Sequence, residues 1–382
     1  MPSLRPDVDP DGLLEFSVVF TDRALNHMSR KFQQVMRDIS ATLKEAYRGH
    51  SAIVVPGGGT YGMESVARQF AAGRKTLVIR NGWFSYRWSQ ILDVGGIAAT
   101  QTVIKARPVA AGRQMPFAPP PVEEVVAAIR AQGAEIVFAP HVETAAGLLL
   151  PDDYLRAVAA AVHENKGMLI LDCIASGAAW VDMEKTGVDV LISAPQKGWS
   201  GSPGCAFVVL NADARARIDA TASTSFAADL KKWLQIMETY EGGGHAYHAT
   251  MPTDALARTR DAMVETRSIG FEKLRGAQFD LGRKVRALFE SRGLRCVAAE
   301  SYQAPGVVVC YTDDNEIQTG KAFLGQGLQT AAGVPLQCDE PADFKTFRVG
   351  LFGLDKLQDV DATVQRLARA LDSILGGSAR AA

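Results

Sequence analysis

The feature that most limits the fold of this chain is a series of short apolar segments within its first 210 residues. These segments are rich in Val, Ile and Leu and do not alternate with polar residues, which is typical of strands buried on both faces. Most are separated by segments long enough for a crossover helix, as parallel strands require. The predicted strands are AIVV (52–55), KTLVIR (75–80), AATQTVIKA (98–106), EIVFAP (135–140), GMLILD (167–172), DVLISA (189–194) and CAFVVL (205–210).

The interval before the last of these strands is different, because residues 195–204 (PQKGWSGSPG) are too few for a crossover helix. We therefore expect the last strand to run antiparallel to its neighbours. The sequence predicts an α/β fold with a large domain, in which helices sandwich a mostly parallel seven-stranded sheet whose last strand is antiparallel.

A smaller α+β C-terminal domain is predicted to follow. A long helical pattern over residues 253–293 would link the two domains. Further strands are expected near 294–298, 306–312 and 346–352. The predicted division is an N-terminal arm (1–15), a large domain (16–265), and the linking helix with the small domain (266–382).

Composition and charge exclude several classes of function. The chain has 382 residues, 47% of them hydrophobic, and a formal net charge of -1, so neither a disordered protein nor a nucleic-acid binder is expected. Its five cysteines form no CxxC pair, which argues against a disulfide framework or a zinc site. The sequence shows neither a signal peptide nor the apolar run of about 18 residues that a membrane helix needs. We predict a cytoplasmic protein that acts on small molecules, without metal, nucleic acid or membrane.

A glycine-rich loop follows the first predicted strand, in the segment PGGGTYGMESVARQF (56–70). Glycines before a helix leave backbone N–H groups free to bind a phosphate. Gly57, Gly59 and Gly62 also fit G-x-G-x-x-G, the dinucleotide pattern of a nicotinamide-dependent oxidoreductase. The next strand, however, ends in Arg80 and not in the acidic residue that an NAD ribose would require. A tight turn without a ligand is the third interpretation.

An aspartate and a lysine follow two later strands. Asp172 ends the strand GMLILD, and Lys197 comes just after DVLISA. Adjacent parallel strands would place both at the sheet edge that also carries the glycine loop. A phosphate site, a carboxylate and a lysine together suit pyridoxal 5'-phosphate (PLP), with Lys197 forming the Schiff base and Asp172 on the pyridine nitrogen. Taken singly, Asp172 is equally well a helix cap and Lys197 a solvated loop residue.

These residues lie in motifs that resemble those of the class V aminotransferases of PLP fold type I, in particular the alanine–glyoxylate and serine–pyruvate aminotransferase group. Residues 171–204 resemble the family segment that runs from the pyridine-binding Asp to the Schiff-base Lys, including the Gln-Lys pair. GGGTYGMES is similar to the family's phosphate loop, and NGWFSYR to the segment that places an aromatic ring over the cofactor. The resemblance implies cofactor contacts by Gly58, Gly59, Thr60, Phe84, Thr144, Asp172, Gln196 and Lys197.

Two further motifs imply a homodimer and a substrate site. YHATMP (247–252) resembles a family segment whose Tyr and Thr reach the phosphate in the partner subunit, which implies these roles for Tyr247 and Thr250. FRVGLFG resembles the motif whose Arg binds the substrate carboxylate, here Arg348. One departure concerns HVETAAGLLLP, where Ala145 and Ala146 replace the family's Ser-Thr.

The resemblance implies a PLP-dependent transaminase (EC 2.6.1 type) with a ping-pong mechanism through a Lys197 Schiff base. It would move the amino group of a small amino acid, alanine or serine, to glyoxylate or pyruvate. The alternatives are a PLP-dependent lyase or cysteine desulfurase, for which Cys338 would be the reactive thiol, and a PLP-binding protein without catalysis. A nicotinamide-dependent oxidoreductase is a further alternative, but it assigns no role to Lys197 and Asp172.

Overall fold

The computed structural model describes residues 5–378 and is built around a seven-stranded sheet. Its strand order is β1-β11-β10-β9-β6-β2-β3. In chain order the strands are β1 (Ser51–Pro56), β2 (Lys75–Arg80), β3 (Thr100–Lys105), β4 (Arg107–Pro108), β5 (Phe117–Ala118), β6 (Ile136–Pro140), β7 (Val142–Glu143), β8 (Leu148–Leu149), β9 (Met168–Asp172), β10 (Val190–Ser193), β11 (Cys205–Leu210), β12 (Val307–Tyr311), β13 (Ala331–Ala332) and β14 (Thr346–Gly350).

Helices cover both faces of this sheet, and others build the C-terminal part. They are α1 (Arg30–Tyr47), α2 (Gly59–Phe70), α3 (Trp83–Gly95), α4 (Val122–Gln132), α5 (Asp152–Glu164), α6 (Met183–Thr186), α7 (Ala212–Asp219), α8 (Leu230–Glu241), α9 (Thr253–Ile269), α10 (Phe271–Glu290), α11 (Asn315–Gln318), α12 (Lys321–Leu324), α13 (Leu354–Gln358) and α14 (Val360–Ser378), with a 3-10 turn at Glu300–Tyr302.

The predicted reversal of the last strand is confirmed. β11 pairs antiparallel with both β1 and β10, whereas β10, β9, β6, β2 and β3 pair in parallel. Every residue of β6, β9, β10 and β11 is buried, which explains why these segments read as unbroken apolar runs. The fold is that predicted from the sequence: a mostly parallel sheet between layers of helices.

The C-terminal part differs from the prediction in two places. The segment 294–298 forms no strand, and only isolated bridges at Cys296 and Ala298 join it to its neighbours. The helical pattern of residues 253–293 is interrupted at Gly270, whose φ of 103° no α-helix can contain. The two other predicted strands are present as β12 and β14, which pair antiparallel in the sheet β12-β14-β13.

The predicted domain boundaries stay predictions, and residues 1–4 and 379–382 of the arm and small domain lie outside the described residues. Within residues 5–378, none of the helices is long and apolar enough to cross a membrane. The same described residues contain no group of His, Cys, Asp and Glu side chains that is able to hold a metal ion.

Candidate active site

The carboxyl ends of β1, β9 and β10 lie at one edge of the sheet, since these strands are parallel to one another. Asp172 is the last residue of β9 and pairs with Ile192 of β10. Lys197 lies in the turn that follows β10, and the glycine loop follows β1. The structure thus brings the loop, the aspartate and the lysine to the same edge.

The Lys197 side chain is half-buried, and its Nζ atom lies 5.3 Å from the centroid of the Phe352 ring. Burial lowers the pKa of the Lys197 ammonium, the Arg348 guanidinium lowers it further, and Asp172 acts in the opposite direction. A lowered pKa increases the fraction of neutral amine, the form that attacks an aldehyde. Lys197 is therefore suited to act as a nucleophile and as a base.

The Asp172 side chain is almost fully buried. Its Oδ1 atom accepts a hydrogen bond of 2.9 Å from the Ile174 N–H, and no hydrogen bond reaches Oδ2 from any described residue. Burial raises the pKa of Asp172 to about 7, and the nearby Glu143 carboxyl adds to this effect. A buried carboxylate that lacks a cationic partner fits the protonated pyridine nitrogen of PLP, because such a group would stabilise the ionised form.

This burial predicts a pH dependence in the cofactor-free protein. The pKa of Asp172 is about 7 in the folded state and 3.8 for an ordinary aspartate, so between these values the folded chain holds a proton that the unfolded chain has lost. The free energy of unfolding should therefore fall as the pH rises from about 4 to about 7, by at most about 4 kcal/mol. Urea unfolding at about pH 5 and about pH 8 measures it. In the control variant Asp172→Asn, the free energy of unfolding should fall much less over the same pH range. An equal fall in both proteins would contradict the prediction.

The glycine loop ends at the beginning of α2, where Gly58 is the N-cap residue. The backbone N–H groups of Gly58, Gly59 and Thr60 have no acceptor within the helix, because they lie before or in its first turn. A Cβ atom added to Gly58 would meet no atom within 4 Å, so open space lies in front of these groups. This space and the free N–H groups fit the phosphate of PLP.

Two guanidinium groups lie close to the Phe84 ring. The Cζ atoms of Arg348 and Arg87 are 5.4 Å and 5.5 Å from its centroid. Arg348 is in β14, and its Nε donates a 2.8 Å hydrogen bond to the Ala332 carbonyl of the adjacent strand. The sheet of the C-terminal part therefore places Arg348 beside the predicted ring-stacking residue, where its remaining N–H groups can bind a carboxylate.

Glu143, which the sequence analysis did not single out, is fully buried beside Phe84. Its carboxylate accepts hydrogen bonds from the N–H groups of Phe84 (3.3 Å), Ser85 (2.8 Å) and Ala145 (2.9 Å), and from the Ser85 hydroxyl (2.8 Å). Glu143 thereby caps α3, whose own N-cap residue is Gly82. A Cβ at Gly82 would lie 2.7 Å from the Glu143 Cγ, so glycine is required for this approach.

Removal of this cap should destabilise the protein. Glu143→Ala leaves buried N–H groups without an acceptor, and we expect the free energy of unfolding to fall by about 2–4 kcal/mol. Urea denaturation at neutral pH measures the change. The control is Glu316→Ala, which breaks an exposed ion pair with Lys321 and should change stability by no more than about 0.5 kcal/mol. Equal effects of the two substitutions would show that the buried carboxylate does not hold α3 in place.

The turn after Glu143 carries two alanines where the family resemblance implies hydroxyl residues. Ala145 and Ala146 are fully buried in an apolar cluster that also contains Val307 and Val309, and Phe84 packs against this cluster. Thr144, which the sequence analysis assigns to the cofactor site, is almost fully buried, and its predicted cofactor contact stays a prediction. Gln196, next to Lys197, is exposed.

Tyr247 and Thr250 lie on the surface of the single chain. The Tyr247 hydroxyl is 3.0 Å from the Thr250 Oγ1, and the Tyr247 ring is 5.5 Å from that of His27. Tyr247 is 52% exposed, and within residues 5–378 no hydrogen bond connects either side chain to the glycine loop of its own chain. Their predicted contact with a partner subunit stays a prediction.

Comparison with known proteins agrees with this geometry. The family model "Aminotransferase class-V" matches residues 15–361. A 2-aminoethylphosphonate–pyruvate transaminase of Burkholderia ambifaria is 28% identical over 351 residues, which cover 90% of this chain and 88% of the relative.

Solved structures share the fold. An alanine–glyoxylate aminotransferase from Nostoc sp. has a TM-score of 0.76 at 22% identity, with 91% of this chain and 88% of that chain covered. A ureidoglycine–glyoxylate aminotransferase from Bacillus subtilis has a TM-score of 0.75 at 20% identity, with 91% and 87% covered. Because the family model spans most of the sequence, this chain belongs to the class V aminotransferases, which are PLP-dependent enzymes of fold type I.

Proposed function

We propose that this PLP-dependent transaminase moves the amino group of a small amino acid, alanine or serine, to a small 2-oxo acid, glyoxylate or pyruvate. The observation that carries the proposal is the half-buried Lys197 amine, whose pKa is lowered by burial and by the neighbouring Arg348. This arrangement places a nucleophilic base beside a group that can hold the substrate carboxylate. Asp172, at the end of the neighbouring strand β9, supplies the carboxylate for the pyridine nitrogen.

The residues of the site have separate roles in the proposed reaction. Arg348 binds and orients the carboxylate of the amino acid. Lys197 Nζ accepts the proton from the substrate α-carbon as a general base and later donates it as a general acid. Asp172 would hold the pyridine nitrogen protonated, while Gly58, Gly59 and Thr60 would hold the phosphate. PLP, when bound, supplies the electron sink that stabilises the negative charge formed at the α-carbon.

A second donor is favoured by the comparison with curated proteins. The Burkholderia ambifaria relative is named as a 2-aminoethylphosphonate–pyruvate transaminase, and it aligns over 90% of this chain. A guanidinium binds a phosphonate as well as a carboxylate, so Arg348 can serve either donor. The second candidate is therefore transfer from 2-aminoethylphosphonate to pyruvate.

Visible absorption spectra of the purified protein test these proposals. Loss of the yellow PLP absorption with L-alanine or L-serine, and its return with glyoxylate or pyruvate, is the expected result. A response to 2-aminoethylphosphonate alone would select the second candidate. Release of a substrate fragment without any need for a 2-oxo acid would indicate a lyase, and absence of yellow colour after addition of PLP would overturn the proposal.

The structure bears on the desulfurase alternative through Cys338. This cysteine is buried, with its Sγ 3.3 Å from the Arg80 carbonyl oxygen. Burial raises the pKa of the Cys338 thiol to about 12, so little thiolate is present at neutral pH. A desulfurase needs a reactive, accessible thiolate, and the Cys338 thiol is buried and largely protonated.

We further propose that the protein is a cytoplasmic homodimer whose Tyr247 and Thr250 reach the phosphate of the partner subunit. The 52% exposure of Tyr247 and the 60% exposure of Tyr61, in the first turn of α2, support this proposal. Tyrosine is enriched in protein–protein interfaces relative to the rest of the surface. Light scattering coupled to size-exclusion chromatography would give the mass in solution, and a mass of one chain, 41.0 kDa, would contradict the proposal.

A further inference from the structure

The phosphate site predicted from the sequence contains no positive charge. Gly58, Gly59 and Thr60 offer backbone N–H groups and one hydroxyl, and Tyr247 and Thr250 of a partner would add two more hydroxyls. A phosphate monoester carries close to two negative charges at neutral pH. Neutral donors alone bind such a group weakly compared with a site that includes a guanidinium.

Arg87 is a cation at this place in the structure. Its Nη1 atom donates a 3.0 Å hydrogen bond to the Thr60 hydroxyl at the beginning of α2. The guanidinium also lies over the Phe84 ring, and it is close enough to Asp172 to lower the pKa of that carboxyl. Arg87 therefore lies beside the glycine loop and the ring-stacking residue.

The guanidinium of Arg87 is available to a ligand. Within residues 5–378 it forms no ion pair, and the bond to Thr60 is its one hydrogen bond. Its other N–H groups thus have no protein acceptor. Several other arginines are paired with carboxylates instead: Arg68 on α2, for example, forms an ion pair with Glu64. A half-buried guanidinium whose remaining N–H groups have no protein acceptor is able to bind an anion.

We propose that Arg87 is a phosphate-binding residue of the cofactor site and supplies its positive charge. Arg87 follows Phe84 by three positions in α3, so both side chains lie on one face of this helix. One helix would then present both the ring-stacking residue and the phosphate-binding cation. The proposal rests on the proposed function, because it requires PLP at this edge of the sheet.

Equilibrium dialysis of the cofactor-free full chain with PLP, and separately with pyridoxal, tests this role. Pyridoxal has the same ring and aldehyde but no phosphate. Arg87→Met keeps a side chain of similar length over Phe84, and we expect it to weaken PLP binding by about 10- to 100-fold while pyridoxal binding stays nearly unchanged. Arg87→Lys should fall in between, since an ammonium cannot form the bidentate contact.

A control variant and a second readout complete the experiment. Arg74→Ala removes a surface arginine paired with Glu135, just before the amino end of β2, and should leave both affinities unchanged. Inorganic phosphate should raise the melting temperature of the cofactor-free wild type more than that of Arg87→Met. The melting temperature is measured without catalytic turnover. Arg87→Ala serves as a second variant in the same measurement if methionine perturbs the packing.

Three outcomes would overturn the inference. Unchanged PLP affinity in Arg87→Met would show that Arg87 does not bind the phosphate. An equal loss for PLP and pyridoxal would show that Arg87 acts through the Phe84 ring. Failure of the wild type to bind PLP at all would overturn the proposed function as well, whereas the first two outcomes leave the proposed function standing.

Discussion

Lys197→Ala should abolish transamination, with a loss of at least about 10³-fold in kcat. The lysine has two roles in the proposed function, as the residue that forms the covalent link to the cofactor and as the base that moves the α-proton. No other described residue is placed to fulfil both roles. Steady-state assays with L-alanine and glyoxylate measure the rate, and the visible spectrum reports whether the bound cofactor is still linked to the protein.

The matched control for this variant is Lys185→Ala. Lys185 is 78% exposed and follows Asp182 on the short helix α6, between β9 and β10. It should retain wild-type turnover and a wild-type spectrum. Substantial turnover by Lys197→Ala, with a fold unchanged by circular dichroism, would overturn the assigned mechanism and not only the magnitude of the effect.

Arg348→Ala should mainly weaken binding of the amino donor, with a rise in KM of about 10- to 100-fold. The arginine is half-buried and anchored through its Nε to the Ala332 carbonyl, so its other N–H groups are pre-oriented toward a carboxylate. Its position over Phe84 further restricts the guanidinium. KM and kcat for L-alanine, measured over a wide concentration range, separate binding from chemistry.

Arg348→Lys and Arg292→Ala give this experiment its internal comparison. Lysine keeps the charge but not the planar fork, so we expect a smaller but clear increase in KM. Arg292 pairs with Asp372 on the surface of the C-terminal part, and its loss should leave KM unchanged. A wild-type KM in Arg348→Ala would refute the assignment of the substrate carboxylate to Arg348, while the role of Lys197 would stand.

The architecture could be predicted because its signals are local in the sequence. A strand buried on both faces must be apolar throughout, and a parallel pair requires a crossover, so β9 and β10 are visible in the residues themselves. The short interval before β11 predicted its reversal for the same reason. Asp172 and Lys197 follow strand ends, and the topology of a parallel sheet brings such positions together.

Signals of the same kind failed where neighbouring segments decide the outcome. Residues 294–298 read as a strand, yet they form only bridges, since pairing depends on the geometry of an adjacent strand and not on composition. The helical pattern across Gly270 continues in the sequence, but the backbone there has a φ of 103°, which glycine adopts readily and which separates α9 from α10.

By itself, the sequence determined the sheet, its reversed strand and the edge that carries Asp172 and Lys197. Only the tertiary structure decided that Glu143 caps a helix 58 positions earlier in the chain, and that Arg87 meets Thr60. Burial and strand direction follow from the pattern of neighbouring residues, so they can be read in order along the chain. Contacts between side chains on separate elements depend on how those elements pack, which no local pattern specifies.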